Sequence, residues 1–193
     1  MLMKELEELL NLDTLSLSKA LLGWQLRLIS LEGIYEGIIV ETEAYLQDDP
    51  ACHAYRKKTT RNAPMFGSEG TIYVYQIYGM HYCVNISGNK EGVGEAVLIR
   101  ALEPTKGIDL MKKRRNTDSI RNLCSGPAKL VQAFGINKEM NFWNVKTHDL
   151  TLIATSATID EEQIVTTTRI GITQGVELPY RFYLKNSRYI SKK

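Results

Sequence analysis

Leucines recur at helical spacing from Leu2 to Leu12, and the pattern predicts an amphipathic helix. A second helix is expected over Leu17 to Leu22, capped by Asp13 or Ser16 and stopped at Gly23. Trp24 to Leu31 and Ile34 to Glu43 alternate apolar with polar residues around Glu32-Gly33, which reads as a β-hairpin. Residues 46–70 carry no period and are rich in turn formers and basic side chains (Arg56, Lys57, Lys58, Arg61). A loop of that length is uncommon unless it serves a function. Thr71 to Ile77 and Met80 to Ser87 then read as two strands around Tyr78-Gly79, and Val93 to Leu102 as a further strand closed by Pro104. Helical pattern returns over Ile108 to Arg115, and Gly126-Pro127 opens a helix that runs to Phe134 and stops at Gly135. Short strands are expected at Leu150 to Ala154, Arg169 to Ile172 and Arg181 to Ile190. The order is that of an α+β fold around a mostly antiparallel sheet.

Composition changes this picture little: 193 residues, 44% hydrophobic and 24% charged, suit one globular domain. The formal charge of +2 is too small to announce a polyanionic partner, so any nucleic-acid reading depends on where the charges sit. Cys52, Cys83 and Cys124 cannot all pair within the chain, which favours a reducing compartment. No run reaches the roughly 18 apolar residues of a membrane helix. Glu5, Glu7 and Glu8 stand where a signal peptide carries positive charge, so no export is expected.

Three groups of residues offer chemistry. Strand alternation places Glu41, Glu43 and Tyr45 on one face at the end of an apolar strand, where a carboxylate beside a ring can activate water or stabilise positive charge. The same pentapeptide also suits an ordinary strand end with solvated acids. Five of the ten tyrosines fall at Tyr45 or within residues 73–82. Aromatic strands commonly mean core packing. Tyr78 and Met80, however, flank the turn glycine of a hairpin tip, where large apolar groups have no folding reason to be and suit a wedge between stacked bases. The third group, Cys52-His53 with His81 and Cys83, has no zinc-site spacing, and no metal is expected. Lys112 to Arg115 reads as a solvated helix face unless it lies beside the hairpin. Phosphate-cradling, nucleophile-elbow and dinucleotide motifs are absent from the sequence, and no cofactor is expected.

Together VETEAY (40–45), His53, TTRNAPMF (59–66), GTIYVYQIYGMHYCVN (70–85), LIRALEP (98–104) and LCSGPAKL (123–130) resemble the alkyladenine (3-methyladenine) DNA glycosylase family of base-excision repair. The resemblance runs in order from about Leu17 to Tyr183. It implies a single compact domain over 1–193, with a curved, mostly antiparallel sheet, flanking helices and a protruding hairpin. It makes Glu43 the general base, Tyr45 and Tyr75 the rings that sandwich a flipped base, and His53 the group at its edge. Asn85 matches a pocket amide that rejects guanine, Arg100 an arginine near the carboxylate and a substrate phosphate, and Tyr78 the residue that fills the emptied stack. Arg61, Lys129 and the helix start at Ser125-Gly126-Pro127 are expected to meet phosphates. Two positions depart from the family pattern: His81 stands where a tyrosine is usual, and Cys52 precedes the pocket histidine. The implied protein is a monomeric, cytoplasmic bacterial enzyme, without cofactor, metal or membrane, acting on double-stranded DNA that contains alkylated purines. A damage or shape sensor without catalysis, and a carbohydrate-active enzyme using Glu41 and Glu43, are the competing expectations.

Overall fold

A computed structural model describes residues 2–77 and 79–192. Helices α1 (Leu2–Leu10) and α2 (Thr14–Ala20) come first, and Asp13 caps α2 by accepting the Leu15 and Ser16 N–H groups at 3.1 Å. Strands β1 (Gln25–Ser30) and β2 (Gly33–Tyr45) form the expected hairpin, with β2 running two residues further than its alternation suggested. After the long loop come β3 (Ile72–Ile77), β4 (His81–Ser87) and β5 (Ala96–Lys106). Helices α3 (Ile108–Arg115), α4 (Ile120–Leu123) and α5 (Pro127–Phe134) follow, then β6 (Leu150–Ile153), β7 (Ile164–Thr167) and β8 (Arg181–Leu184).

All the described strand pairings are antiparallel and belong to one sheet ordered β3-β4-β5-β2-β1-β6, with β8 beside the second half of β2 and β7 beside β8. The fold is therefore α+β. Helices cover one face: Leu17, Leu21, Ile39, Ile99, Leu102, Phe134 and Phe182 are fully or almost fully buried there in one apolar core. Thr42 points the same way, its hydroxyl donating to the Ser18 carbonyl at 2.7 Å, so Glu41, Glu43 and Tyr45 are left to the other face.

Several element boundaries differ from expectation for physical reasons. Pro104 lies inside β5 rather than ending it. Beyond Leu98 that strand has left β4, and a register shift at Glu36/Gly37 disturbs its pairing with β2 opposite Pro104, so the missing N–H breaks no regular ladder. Arg169 to Ile172 is irregular, and the strand lies earlier, at β7. Arg169 turns inward onto Asp49, which takes its backbone out of the ladder. Strand β8 ends at Leu184, well short of Ile190.

The long loop is fastened rather than loose. Cys52, Ala54, Met65 and Phe66 pack with Tyr73 and Ala96 in a second apolar cluster. Gly94 lets the loop lie close: a Cβ there would stand 2.5 Å from the Phe66 ring and 2.6 Å from Ala54. Asn62, itself buried, donates to the His53 and Lys57 carbonyls at 2.7 and 3.0 Å and accepts the Thr59 N–H at 2.6 Å.

Candidate active site

Two compensating bulges aim the chemistry. Ile39 pairs with Leu102 and Glu41 with Ala101, so Val40 is an extra residue in β2. Thr42 then pairs with Ile99, which makes Arg100 the extra residue in β5. A bulge re-aims side chains at the cost of ladder hydrogen bonds. Here it sets Val40 and Glu41, though consecutive, against the same segment: Val40 packs on Tyr189 and Ile190, and Glu41 bonds Ser191. It also turns Arg100 onto both acids, with Nε 3.1 Å from Glu41 Oε1 and Nη1 3.1 Å from Glu43 Oε1.

Neither acid is solvated. Glu43 is 0% exposed, and three groups donate to it: the Tyr45 hydroxyl to Oε2 at 2.8 Å, the Ile170 N–H to Oε1 at 2.8 Å, and Arg100. All three donors line a cavity of about 580 Å³, while Glu43 itself sits one layer behind its wall. Glu41 is locked elsewhere, between Arg100, Arg181 and Ser191, and does not line the cavity. The two acids are therefore not presented as a pair of free carboxylates flanking a sugar.

Much of the remaining wall is aromatic. Tyr75 meets His53 edge-on at 4.6 Å between ring centroids and lies tilted against Tyr73 at 5.3 Å. His53 Nδ1 is 3.0 Å from the Tyr73 hydroxyl. Asn85 lines the cavity with its amide fixed by a 3.1 Å bond to the Tyr73 carbonyl. Burial pushes the phenols of Tyr45, Tyr73 and Tyr75 upward, Tyr73 to about 12, so the rings stay neutral. Burial, helped by the positive charge of Arg61, holds His53 below its usual value. An NMR titration of the His53 ring should therefore give a midpoint below that of free imidazole, and Arg61→Ala should raise it. A midpoint above the free value would show that the ring meets an anion in solution.

Of the remaining expected residues Arg61 lines this cavity, whereas Met80, Ser125, Gly126 and Lys129 do not. Arg61 is exposed and lines it, with its guanidinium 5.9 Å from the Tyr75 centroid. Met80 is 79% exposed at the hairpin tip, next to Gly79, whose φ of +75° suits glycine. Tyr78 lies outside the described residues. Pro127, the first residue of α5, lines the cavity, while Lys129 turns back to the Ser125 hydroxyl at 3.3 Å, beside Gly126. The basic run of α3 is partly engaged: Arg114 bonds Glu32 and stacks on Tyr35, and Arg115 reaches the Leu123 carbonyl and Gln132.

The two departures also find places. Cys52 is buried against the Gly94 carbonyl, its thiol pushed up to about 12 by burial, so it packs the loop. His81 is exposed at the start of β4, paired with Ile77. Among the described residues no three His, Cys, Asp or Glu side chains gather as metal ligands would.

Sequence reasoning missed Arg169, Ile170, Asp49 and Arg181. Arg169 is buried, held by both oxygens of Asp49, with its guanidinium 4.7 Å from the Tyr45 ring and 5.3 Å from Tyr180. It thereby backs the Tyr45 ring and fixes the position of its neighbour Ile170. Only an arginine beside an Ile-Gly step in the tail could have hinted at this.

The model of the family described as methylpurine-DNA glycosylase (MPG) matches residues 8–188. Relatives bearing the name "Putative 3-methyladenine DNA glycosylase" include one from Carboxydothermus hydrogenoformans, 57% identical over 157 residues that cover 81% of this chain and 82% of the relative. One from Methanoculleus marisnigri is 50% identical and covers 94% of this chain and 95% of its own. Another, from Francisella tularensis subsp. tularensis, is 47% identical over 99% of this chain and 100% of its own.

Proposed function

Because the chain belongs to the methylpurine-DNA glycosylase family, we propose that it is a monofunctional DNA glycosylase of base-excision repair. In this reading it turns an alkylated purine out of duplex DNA into the aromatic cavity and hydrolyses the N-glycosidic bond with a water activated by Glu43. The observation that carries the reading is the seat of Glu43: a fully buried carboxylate whose three donors all line the cavity. A carboxylate has about four lone-pair sites. Ile170 and Arg100 occupy Oε1 and the Tyr45 hydroxyl takes one site on Oε2, so Oε2 keeps a free lone pair, which a water reaches once the covering Tyr45 hydroxyl turns aside.

A purine alkylated at N3 or N7 is cationic and gains about 0.5 to 2 kcal/mol over a neutral base against tyrosine faces. Its charge also makes it a good leaving group. The C1′–N bond breaks with the electron pair going to the purine, whose positive charge is thereby neutralised. Glu43 stabilises the cationic sugar and takes a proton as water oxygen bonds to C1′. Among the described residues no Asp or Glu lines the cavity, and burial with the charge of Arg61 disfavours the protonated form of His53, which fits a leaving group that needs no acid. Base entry requires the nucleotide to leave the stack. The hairpin tip with Tyr78 and Met80 is the wedge that replaces it, Asn85 the amide that screens guanine, and Arg100 the cation facing the nucleotide's phosphate. Among the described residues no helix is long and apolar enough to cross a membrane. We place the protein in the cytoplasm, as a monomer and a single domain over 1–193.

The deciding experiment is incubation with methylated duplex DNA. Free 3-methyladenine should appear while the strand stays intact until alkali cleaves the abasic sites; tight binding without release would point to a damage sensor. Phosphate contact by Arg61 predicts a second result: affinity should fall with salt, and Arg61→Ala should reduce that slope by about one contact. An unchanged slope would remove Arg61 from the interface.

A further inference from the structure

Glu41 is a buried carboxylate that the proposed chemistry does not use. Its oxygens are held from three directions. Arg181 of β8 donates Nε to Oε1 at 2.8 Å, and Arg100 of β5 donates Nε to the same oxygen at 3.1 Å. From the segment that follows β8, Ser191 donates its N–H to Oε2 at 2.5 Å and its hydroxyl to Oε1 at 2.8 Å. The segment is seated by apolar contact of Tyr189 and Ile190 with Val40 and Ala101, and Arg181 also reaches the Lys192 carbonyl.

The Ser191 hydroxyl accepts from Arg100 Nη2 at 3.3 Å as it donates to Glu41. One edge of the Arg100 guanidinium, Nε with Nη2, is thus fixed on Glu41 and Ser191, while Nη1 is the nitrogen that meets Glu43. A guanidinium is planar and rigid, so fixing one edge fixes the direction of the remaining nitrogen. Arg100 needs that support, because as the extra residue of a bulge it gets no register from a partner across the ladder.

We propose that Glu41 and Ser191 are positioning residues for bond cleavage, and that segment 189–192, remote from the cavity wall, sets the rate by holding Arg100 against Glu43. The inference rests on the reading of Glu43 and Arg100 as the reacting pair. Glu41→Gln leaves two buried arginines short of a counter-charge and risks the fold, so the test uses Ser191→Ala, which removes one hydroxyl and keeps the N–H. Single-turnover excision of 3-methyladenine should slow by on the order of tenfold, as a small displacement of a catalytic group does. Affinity for lesion duplex should stay as in the wild type, and Ser191→Thr, which restores a hydroxyl, should recover the rate. In an Arg100→Ala background, Ser191→Ala should cost nothing further, since a residue that acts only through Arg100 is not additive with its loss. A wild-type rate for Ser191→Ala, a loss in affinity instead of rate, or an equal loss in the Arg100→Ala background would each overturn the inference and leave the glycosylase reading standing. A wild-type rate for Arg100→Ala would overturn the reacting pair itself.

Discussion

Glu43→Gln should leave lesion DNA bound and the chemical step slower by at least about 10²- to 10⁴-fold, the range general acid–base catalysis supplies. The geometry explains why binding survives. The amide oxygen of the variant can keep the place of Oε1, accepting from the Ile170 N–H and from Arg100, and its NH₂ can donate to the Tyr45 hydroxyl oxygen, which accepts as readily as it donates. The cavity wall of Tyr45, Arg100 and Ile170 therefore keeps its shape. What disappears is the negative charge facing the cationic sugar, together with the lone pair on Oε2 that would receive the water proton. Single-turnover kinetics with excess protein separates the two effects, because binding sets the concentration dependence and chemistry sets the plateau. A plateau equal to wild type would end the assignment of Glu43. Glu41 would not inherit the role easily, since its oxygens already take bonds from Arg100, Arg181 and Ser191.

Much of this was readable from local pattern. Asp13 as a cap, Gly126-Pro127 opening a helix and Gly135 closing it, and the alternation of β1 and β2 each depend on neighbours within a few residues. The shared face of Glu41, Glu43 and Tyr45 followed from strand alternation, and the aromatic cavity residues from two motifs and a resemblance that runs most of the chain. What alternation could not reveal is burial of the acids, because the arginines that neutralise them arrive from β5 and β8, far along the sequence. Nor could it show that Val40 and Arg100 drop out of the ladder, since a bulge leaves no signature in either strand taken alone. Residues 169–172 misled for the opposite reason. Ile170 and Ile172 alternate as a strand would, yet Arg169 turns in toward Asp49, 120 residues away, and the backbone follows.

That distant pair carries the largest expected effect on stability. Arg169 and Asp49 are buried, and the guanidinium also donates to the Ala44 carbonyl at 2.9 Å and the Gly175 carbonyl at 3.3 Å, while its Nε has no partner among the described residues. The Arg169 side chain is 0% exposed, so bulk water does not solvate its charge. Asp49→Ala leaves the charge buried and unpaired, a change that costs about 3–5 kcal/mol. At about 2–4 °C per kcal/mol for a chain of this size, melting should fall by roughly 6–20 °C. Removing both partners should hurt less than removing one, because the stranded charge goes too. Asp49→Ala combined with Arg169→Met should therefore melt above Asp49→Ala alone. Activity will not follow that recovery. Arg169 backs the Tyr45 ring and precedes Ile170, whose N–H holds Glu43, so the double variant should regain stability and still excise slowly. Calorimetry on the three proteins, with single-turnover rates beside it, checks both halves. A melting point for Asp49→Ala within a degree of wild type would mean that Arg169 escapes to solvent, and that Tyr45 does not depend on it.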